Sequence, residues 1–215
     1  MKKKEALRRY SVCGLGILAS SAGIALLTKS GLGTSQISSL PYVASFVFPV
    51  SFGAATFAMN AFFVLVQLAL LRRAFGKCEL LQIPLTFLFS VSIDLMMFFC
   101  APLAPTLYAL KIALCLAGSA FVALGISLQI VSAVAILPGD GIVRVISRKT
   151  NRNFGTIKTV FDLTLVALAI VLSLVALHKL VGIREGTIIA ALIVGTIVRF
   201  ILARLERLHR WLSEG

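Results

Sequence analysis

The sequence has few charged residues. Only 13% of its 215 residues are charged, and its mean hydropathy is +1.02. This composition excludes a soluble globular domain and a disordered segment, and glycine is too rare for a collagen-like fibre. The remainder is 59% hydrophobic, and the apolar residues occur in runs of about 20, the length of a helix that crosses a bilayer. The sequence therefore predicts an integral membrane protein.

Sequence signatures of metal sites, disulfides and enzymes are also lacking. Cys13, Cys78, Cys100 and Cys115 show neither C-x-x-C nor Cys/His spacing, so they indicate no zinc site and no disulfide framework. No H-E-x-x-H, G-x-S-x-G or P-loop is present. We therefore expect no enzyme activity, metal or cofactor.

Acidic residues are scarce, at 8 against 21 Lys and Arg, which gives a net charge of +13. Such an excess can indicate nucleic-acid binding, but here the basic residues flank the apolar runs, where they suit anionic lipid headgroups. If the N-terminus is cytoplasmic, most of these basic residues lie on the cytoplasmic side of the membrane. The exceptions are Lys29, Lys111, Lys179 and Arg184. By the positive-inside rule, this asymmetry predicts a multi-pass protein of the bacterial inner membrane with both termini in the cytoplasm. Because the basic residues suit lipid headgroups, we expect no binding of nucleic acid.

Six membrane-spanning helices are predicted, at residues 10–28, 53–72, 81–103, 108–134, 154–177 and 185–204. Segments 29–52 and 135–153 are too long for tight loops and too apolar for solvated ones. Within the second segment, Ile142, Val145 and Ile146 share one face of a helix, which predicts an interfacial helix capped at or near Asp140.

The two halves show a weak internal similarity. An offset of 102 residues pairs Phe52-Gly53 with Phe154-Gly155 and Asn60 with Asp162. Because each half has three spans, the second must enter the membrane from the opposite side. The sequence therefore predicts two inverted repeats, residues 10–103 and 108–204, an organisation found in many secondary transporters.

Small residues are frequent in the first and fourth spans, with spacings such as Gly16/Ser20 that let helix backbones approach closely in lipid. These two helices are predicted to form the central contact between the halves.

Polar residues inside the spans are candidates for a site, because burying them in lipid is costly. Asp162 lies about 12 Å along the fifth span, at 1.5 Å per residue, and Asn60 lies at the equivalent depth from the other side. Together they predict a central polar site, in which Asp162 acts as a counter-charge or a coupling group. Alternatively, Asp162 forms a structural ion pair with Lys158, four residues earlier on the same helix face.

Three further features complete the candidate set. Asp94, in the third span, is either a coupling residue or a hydrogen-bonded structural group. Two glycine-containing breaks are predicted to act as gates whose helix N-termini bind a polar or anionic solute, or else to form plain interfacial loops. Their candidate residues are Gly31, Gly33 and Thr34 in the first break and Gly139, Asp140 and Gly141 in the second.

Several motifs resemble those of the YczE/YyaS/YitT-type bacterial membrane proteins. They are G-L-G-T at 31–34, S-F-G at 51–53, P-G-D-G at 138–141, N-F-G-T at 153–156 and R-E-G-T-I-I-A-A-L-I-V-G-T-I-V-R-F at 184–200. The resemblance extends over residues 12–204 and implies a six-helix inner-membrane protein without an assigned activity. Ile83-Pro84 departs from the Gly-Thr usual at that place in the family.

The function favoured by these patterns is transport of a small polar or anionic solute by alternating access between the repeats. One alternative is an accessory or sensory membrane protein, acting as a homodimer or binding a protein partner through Arg144, Arg148 and Lys149. Another is the substrate-binding membrane subunit of a vitamin-uptake system.

Overall fold

The computed structural model describes residues 3–72, 76–134 and 136–205 and is entirely helical over them, with no β-strand. The helices are α1 (Lys3–Lys29), α2 (Gln36–Val47), α3 (Phe52–Leu71), α4 (Lys77–Leu80), α5 (Gln82–Phe99), α6 (Tyr108–Ser132), α7 (Pro138–Thr150), α8 (Phe154–Leu177) and α9 (Glu185–Arg204).

Six of these helices, α1, α3, α5, α6, α8 and α9, are long and apolar enough to cross a membrane, which confirms the predicted number. The third span is shorter than predicted, because α5 ends at Phe99 rather than at residue 103. Pro102 lies three residues beyond Phe99, and proline cannot donate the backbone hydrogen bond that continues a helix. The chain is thus an all-α integral membrane protein.

The two long connections each contain a short helix. The first connection forms α2, which accommodates the buried Pro41, and the second forms α7. On α7, Ile142 and Val145 are buried, which confirms the predicted amphipathic helix. The expected cap at Asp140 is wrong: Leu137 precedes the helix without a side-chain hydrogen bond, Pro138 opens it, and the carboxylate of Asp140 contacts a lysine instead.

The centre of the fold is the antiparallel crossing of α1 and α6. A Cβ atom built on Gly23 would lie 2.6 Å from the carbonyl oxygen of Gly118, and one built on Gly16 would lie 2.8 Å from that of Gly125. Gln129 of α6 donates to the hydroxyl of Ser20 across the same contact at 3.0 Å. The backbones therefore touch where the small residues predicted a close approach.

The other helices surround this pair in a regular pattern. Helix α5 packs against α1 and α3, α9 packs against α6, α2 packs against α8, and α7 packs against α3. The order of long and short helices in α1–α5 recurs in α6–α9 apart from the single turn α4. This order agrees with two repeats, and their inverted relation remains a prediction.

Bulky apolar side chains cover the outside of the bundle. On α8, for example, Leu163 and Val175 are exposed, whereas Leu165, Ala169 and Ser173 are buried. An apolar surface of this kind matches the hydrocarbon core of a bilayer, where exposed apolar side chains contact lipid and not water.

Candidate functional site

Three charged side chains meet where α7 and α8 come together. The ammonium nitrogen of Lys158 lies 2.9 Å from Asp140 Oδ1 and 2.9 Å from Asp162 Oδ1. Lys158 and Asp162 are 28% and 18% exposed, so both are largely withdrawn from the surface. We call Asp140, Lys158 and Asp162 the charge triad. With two carboxylates and one ammonium group, the charge triad carries an excess of one negative charge.

The local sequence explains this arrangement. Lys158 and Asp162 are four residues apart on α8 and therefore share one face of that helix. Asp140 is in the first turn of α7, where the helix dipole favours a carboxylate. The structure thus confirms the predicted ion pair on α8 and adds a third member from another helix.

The start of α7 is held in place by two buried amide side chains. Gln67 of α3 and Gln82 of α5 donate to each other at 3.1 and 3.3 Å, and Gln67 also donates to the carbonyl oxygen of Pro138 at 3.2 Å. A Cβ atom at Gly141 would lie 2.8 Å from Gln67 Oε1. Glycine therefore lets α7 approach this amide pair without displacing its side chains, and Asp140 lies next to Lys158.

The N-terminal turns of α2 and α7 meet inside the bundle. A Cβ atom at Gly139 would overlap Ile37 Cδ1, so the two turns are in direct contact. The rings of Phe63 on α3 and Phe161 on α8 pack edge to face beside these turns, with their centroids 5.3 Å apart. The second break, at 138–141, therefore lies beside the charge triad and against the start of α2.

The first break packs against the start of α9. Gly33 has φ +122°, and the nitrogen of Thr34 donates to Gly182 at 3.1 Å. Thr34 is fully buried, and its hydroxyl accepts from Thr28 at 3.2 Å. A Cβ atom at Gly33 would overlap the hydroxyl of Thr187. By contrast, Gly31, at φ +72°, has open space around it, so its requirement for glycine is conformational.

Asn60 and Asp162, predicted to form one polar site, engage different partners. The amide nitrogen of Asn60 donates to the Thr56 carbonyl of its own helix at 2.9 Å, whereas Asp162 pairs with Lys158. Asn60 is 4% exposed, which confirms that it faces the interior.

Asp94 binds the start of α3. It accepts from the hydroxyl of Ser51 at 2.6 Å and from the backbone nitrogen of Gly53 at 2.7 Å. A carboxylate at a helix N-terminus satisfies free N–H groups and complements the helix dipole. This is the hydrogen-bonded structural role that the sequence offered as one of two possibilities.

The basic side chains of α7 point away from the bundle. Arg144, Arg148 and Lys149 are all exposed, on the side opposite the buried face of that helix. They form a surface that headgroups or another protein can reach.

Sequence reasoning missed the amide pair. Gln67 and Gln82 are 1% and 6% exposed and position α7. Their signal was available, because polar side chains within or at the edge of apolar spans are unusual and usually have partners.

The fold and the charge triad define a multi-pass helical membrane protein with an ionic cluster between the short helix α7 and the span α8. Residues 7–203 match the model of a family of unknown function, DUF6198, and the chain belongs to this family. No curated protein and no solved structure matches the chain. The YczE/YyaS/YitT-type naming therefore remains a resemblance.

Proposed function

We propose that the protein transports a small polar or anionic solute by alternating access between its two halves. The charge triad is the observation that carries this proposal. Charged side chains in membrane spans are costly, and in solute carriers they mark the substrate or ion pathway. A purely structural pair would need one carboxylate for Lys158, whereas the triad supplies two.

The surroundings of the triad support a solute site. The N-terminal turns of α2 and α7 meet beside it, and the dipole of a helix favours a polar or anionic ligand near its N-terminus. Lys158 sits between two carboxylates, so an acidic or polar group of a solute can replace one of them without leaving the lysine unpaired. Discontinuous helices that meet between repeats are a recurring device of secondary transporters.

The proposed orientation places the N-terminus, the C-terminus and α7 at the cytoplasmic side of a bacterial inner membrane. Arg144, Arg148 and Lys149 then face the cytoplasm, as the positive-inside rule requires.

The test begins with a thermal-stability screen of the purified protein against a library of organic acids, amino acids, sugars and phosphate. Ligand at a hundredfold excess over Kd stabilises a protein by about 2.7 kcal/mol. A hit is then measured as uptake of the same radiolabelled compound into proteoliposomes. We expect Asp162→Asn to abolish uptake while expression is retained, and Glu185→Gln, a carboxylate exchange outside the triad, to preserve it.

A second candidate function rests on the exposed basic face of α7. An accessory or uptake-system subunit that binds a partner there would lose activity when Arg144, Arg148 and Lys149 are replaced by glutamine. Asp162→Asn would then leave the activity intact. The two sets of variants therefore separate transport from a partner-dependent role.

A further inference from the structure

The interface between α3 and α5 contains a row of polar side chains, buried except for Ser51 and Asp94 at one end, here called the α3–α5 seam. On α5 the polar residues recur at every fourth position, so they follow one side of the helix. The members of the seam are Ser51, Thr56, Asn60 and Gln67 on the α3 side and Gln82, Thr86, Ser90 and Asp94 on the α5 side.

Both ends of the seam are closed by hydrogen bonds between the two sides. At one end Ser51 donates to Asp94, and at the other Gln67 and Gln82 exchange amide hydrogen bonds. These contacts fix an antiparallel register, in which Asn60 falls opposite the turn of α5 that carries Thr86 and Ser90.

The middle of the seam is different. The hydroxyl oxygens of Thr86 and Ser90 are buried and make no hydrogen bond with any described residue. Thr86 is 2% exposed and Ser90 4%. A buried hydroxyl without a partner costs about 1–3 kcal/mol, so two adjacent ones indicate a ligand or water that completes their bonding.

The free atoms in this region are oxygens. Asn60 uses its amide nitrogen for Thr56, so its oxygen is the atom that remains for a ligand. The nearest charge along the row is the carboxylate of Asp94, one turn from Ser90, and the described seam contains no lysine or arginine. Neutral oxygens near a carboxylate suit a hard cation and disfavour an anion.

We propose that the middle of the α3–α5 seam binds a small monovalent cation of the sodium class, with Thr86, Ser90 and Asn60 among its oxygen ligands. A divalent ion is disfavoured, because the single carboxylate in the row already accepts two hydrogen bonds. This site is separate from the charge triad, and binding there does not depend on whether the protein transports a solute.

The test measures binding rather than flux. The purified protein is heated in sodium, lithium, potassium or choline chloride at constant ionic strength, and its unfolding temperature is recorded. We expect sodium to raise this temperature above its value in choline. Thr86→Val and Ser90→Ala should each weaken the apparent sodium affinity about tenfold or more, because each removes an oxygen ligand.

A matched control is Thr164→Val on α8, whose hydroxyl is exposed and bonded within its own helix. This variant should keep the full sodium response. In choline, Thr86→Val should be at least as stable as the parent, since the lost hydroxyl has no protein partner.

Equal unfolding temperatures in sodium and choline would show ordered water only and overturn the proposal. A sodium response that survives both substitutions would overturn it too. If the variants fail to fold, saturable binding of radioactive sodium to the parent protein supports the site, and absence of such binding refutes it.

Discussion

Replacing Gly23 by alanine tests the central crossing of α1 and α6. The added Cβ atom would lie 2.5 Å from the nitrogen of Val122 and 2.6 Å from the oxygen of Gly118. Both atoms belong to the backbone of α6, so no flexible side chain can move aside. Gly14 is the matched control on the same helix, because nothing lies within 4 Å of its added Cβ.

The size of the effect follows from these distances. Ordinary contact begins near 3.4 Å, so the helices must separate by about 0.9 Å at Gly23. A gap of that size forfeits a quarter to a half of each neighbouring dispersion contact. Overpacking lowers the free energy of unfolding by about 3 kcal/mol at the upper end of its usual range. The better helix propensity of alanine offsets about 1 kcal/mol of this loss. We expect Gly23→Ala to cost about 2 kcal/mol and Gly14→Ala to stabilise by up to about 1 kcal/mol.

The assay is reversible unfolding of each variant in mixed micelles, followed by circular dichroism. Gly118→Ala should cost about as much as Gly23→Ala, and the double variant should cost less than the sum, because both substitutions are relieved by the same separation. Equal stability of Gly14→Ala and Gly23→Ala would refute the close crossing.

Three further predictions concern the two polar clusters. Gly53→Ala should lower the unfolding temperature by several degrees, because its Cβ would overlap the backbone of α5, whereas Gly155→Ala, at the corresponding start of α8, should change it little in the same thermal assay. Asp94→Asn keeps an oxygen acceptor at the start of α3, so chemical unfolding should show a loss of about 1 kcal/mol or less. Lys158→Met should cost about 2 kcal/mol, less than for a fully buried pair, because it leaves two partly exposed carboxylates together; adding Asp162→Asn should restore part of that stability.

Most of the fold could be predicted from the sequence, because a membrane span is defined by length and hydropathy within a single segment. The starts of α8 and α9 and the amphipathic face of α7 follow from such local patterns. The end of α5 was placed too late, since the residues up to 103 are apolar although prolines stop the helix. The close packing of Gly16 and Gly23 on α6 could also be predicted from the sequence, because small residues in a membrane span usually mark a helix–helix contact.

The site could be predicted only in part, since its members come from different helices. The pairing of Lys158 with Asp162 is a local four-residue relation and was found. The approach of Asp140 depends on how α7 docks, and this docking is set by Gln67 and Gln82 across three helices. No spacing in one segment reveals such a contact. Sequence symmetry predicted that Asn60 and Asp162 belong to one central polar site; in the structure each bonds a residue of its own helix, and the shared site stays a prediction.

The packing of the two halves differs in a way that connects the α3–α5 seam with the proposed mechanism. Helix α3 packs closely on α5, whereas α8 and α9, their counterparts in the second half, make little direct contact. In alternating access between inverted repeats, each half adopts the arrangement of the other. That exchange would bring α8 and α9 together and separate α3 from α5, which opens the middle of the seam at Thr86 and Ser90. The proposed cation would bridge α3 and α5 and would therefore stabilise the arrangement in which they are packed. Under the proposed mechanism, its release and the separation of the two helices would be one linked equilibrium, so an ion gradient acting on this site would favour one arrangement over the other.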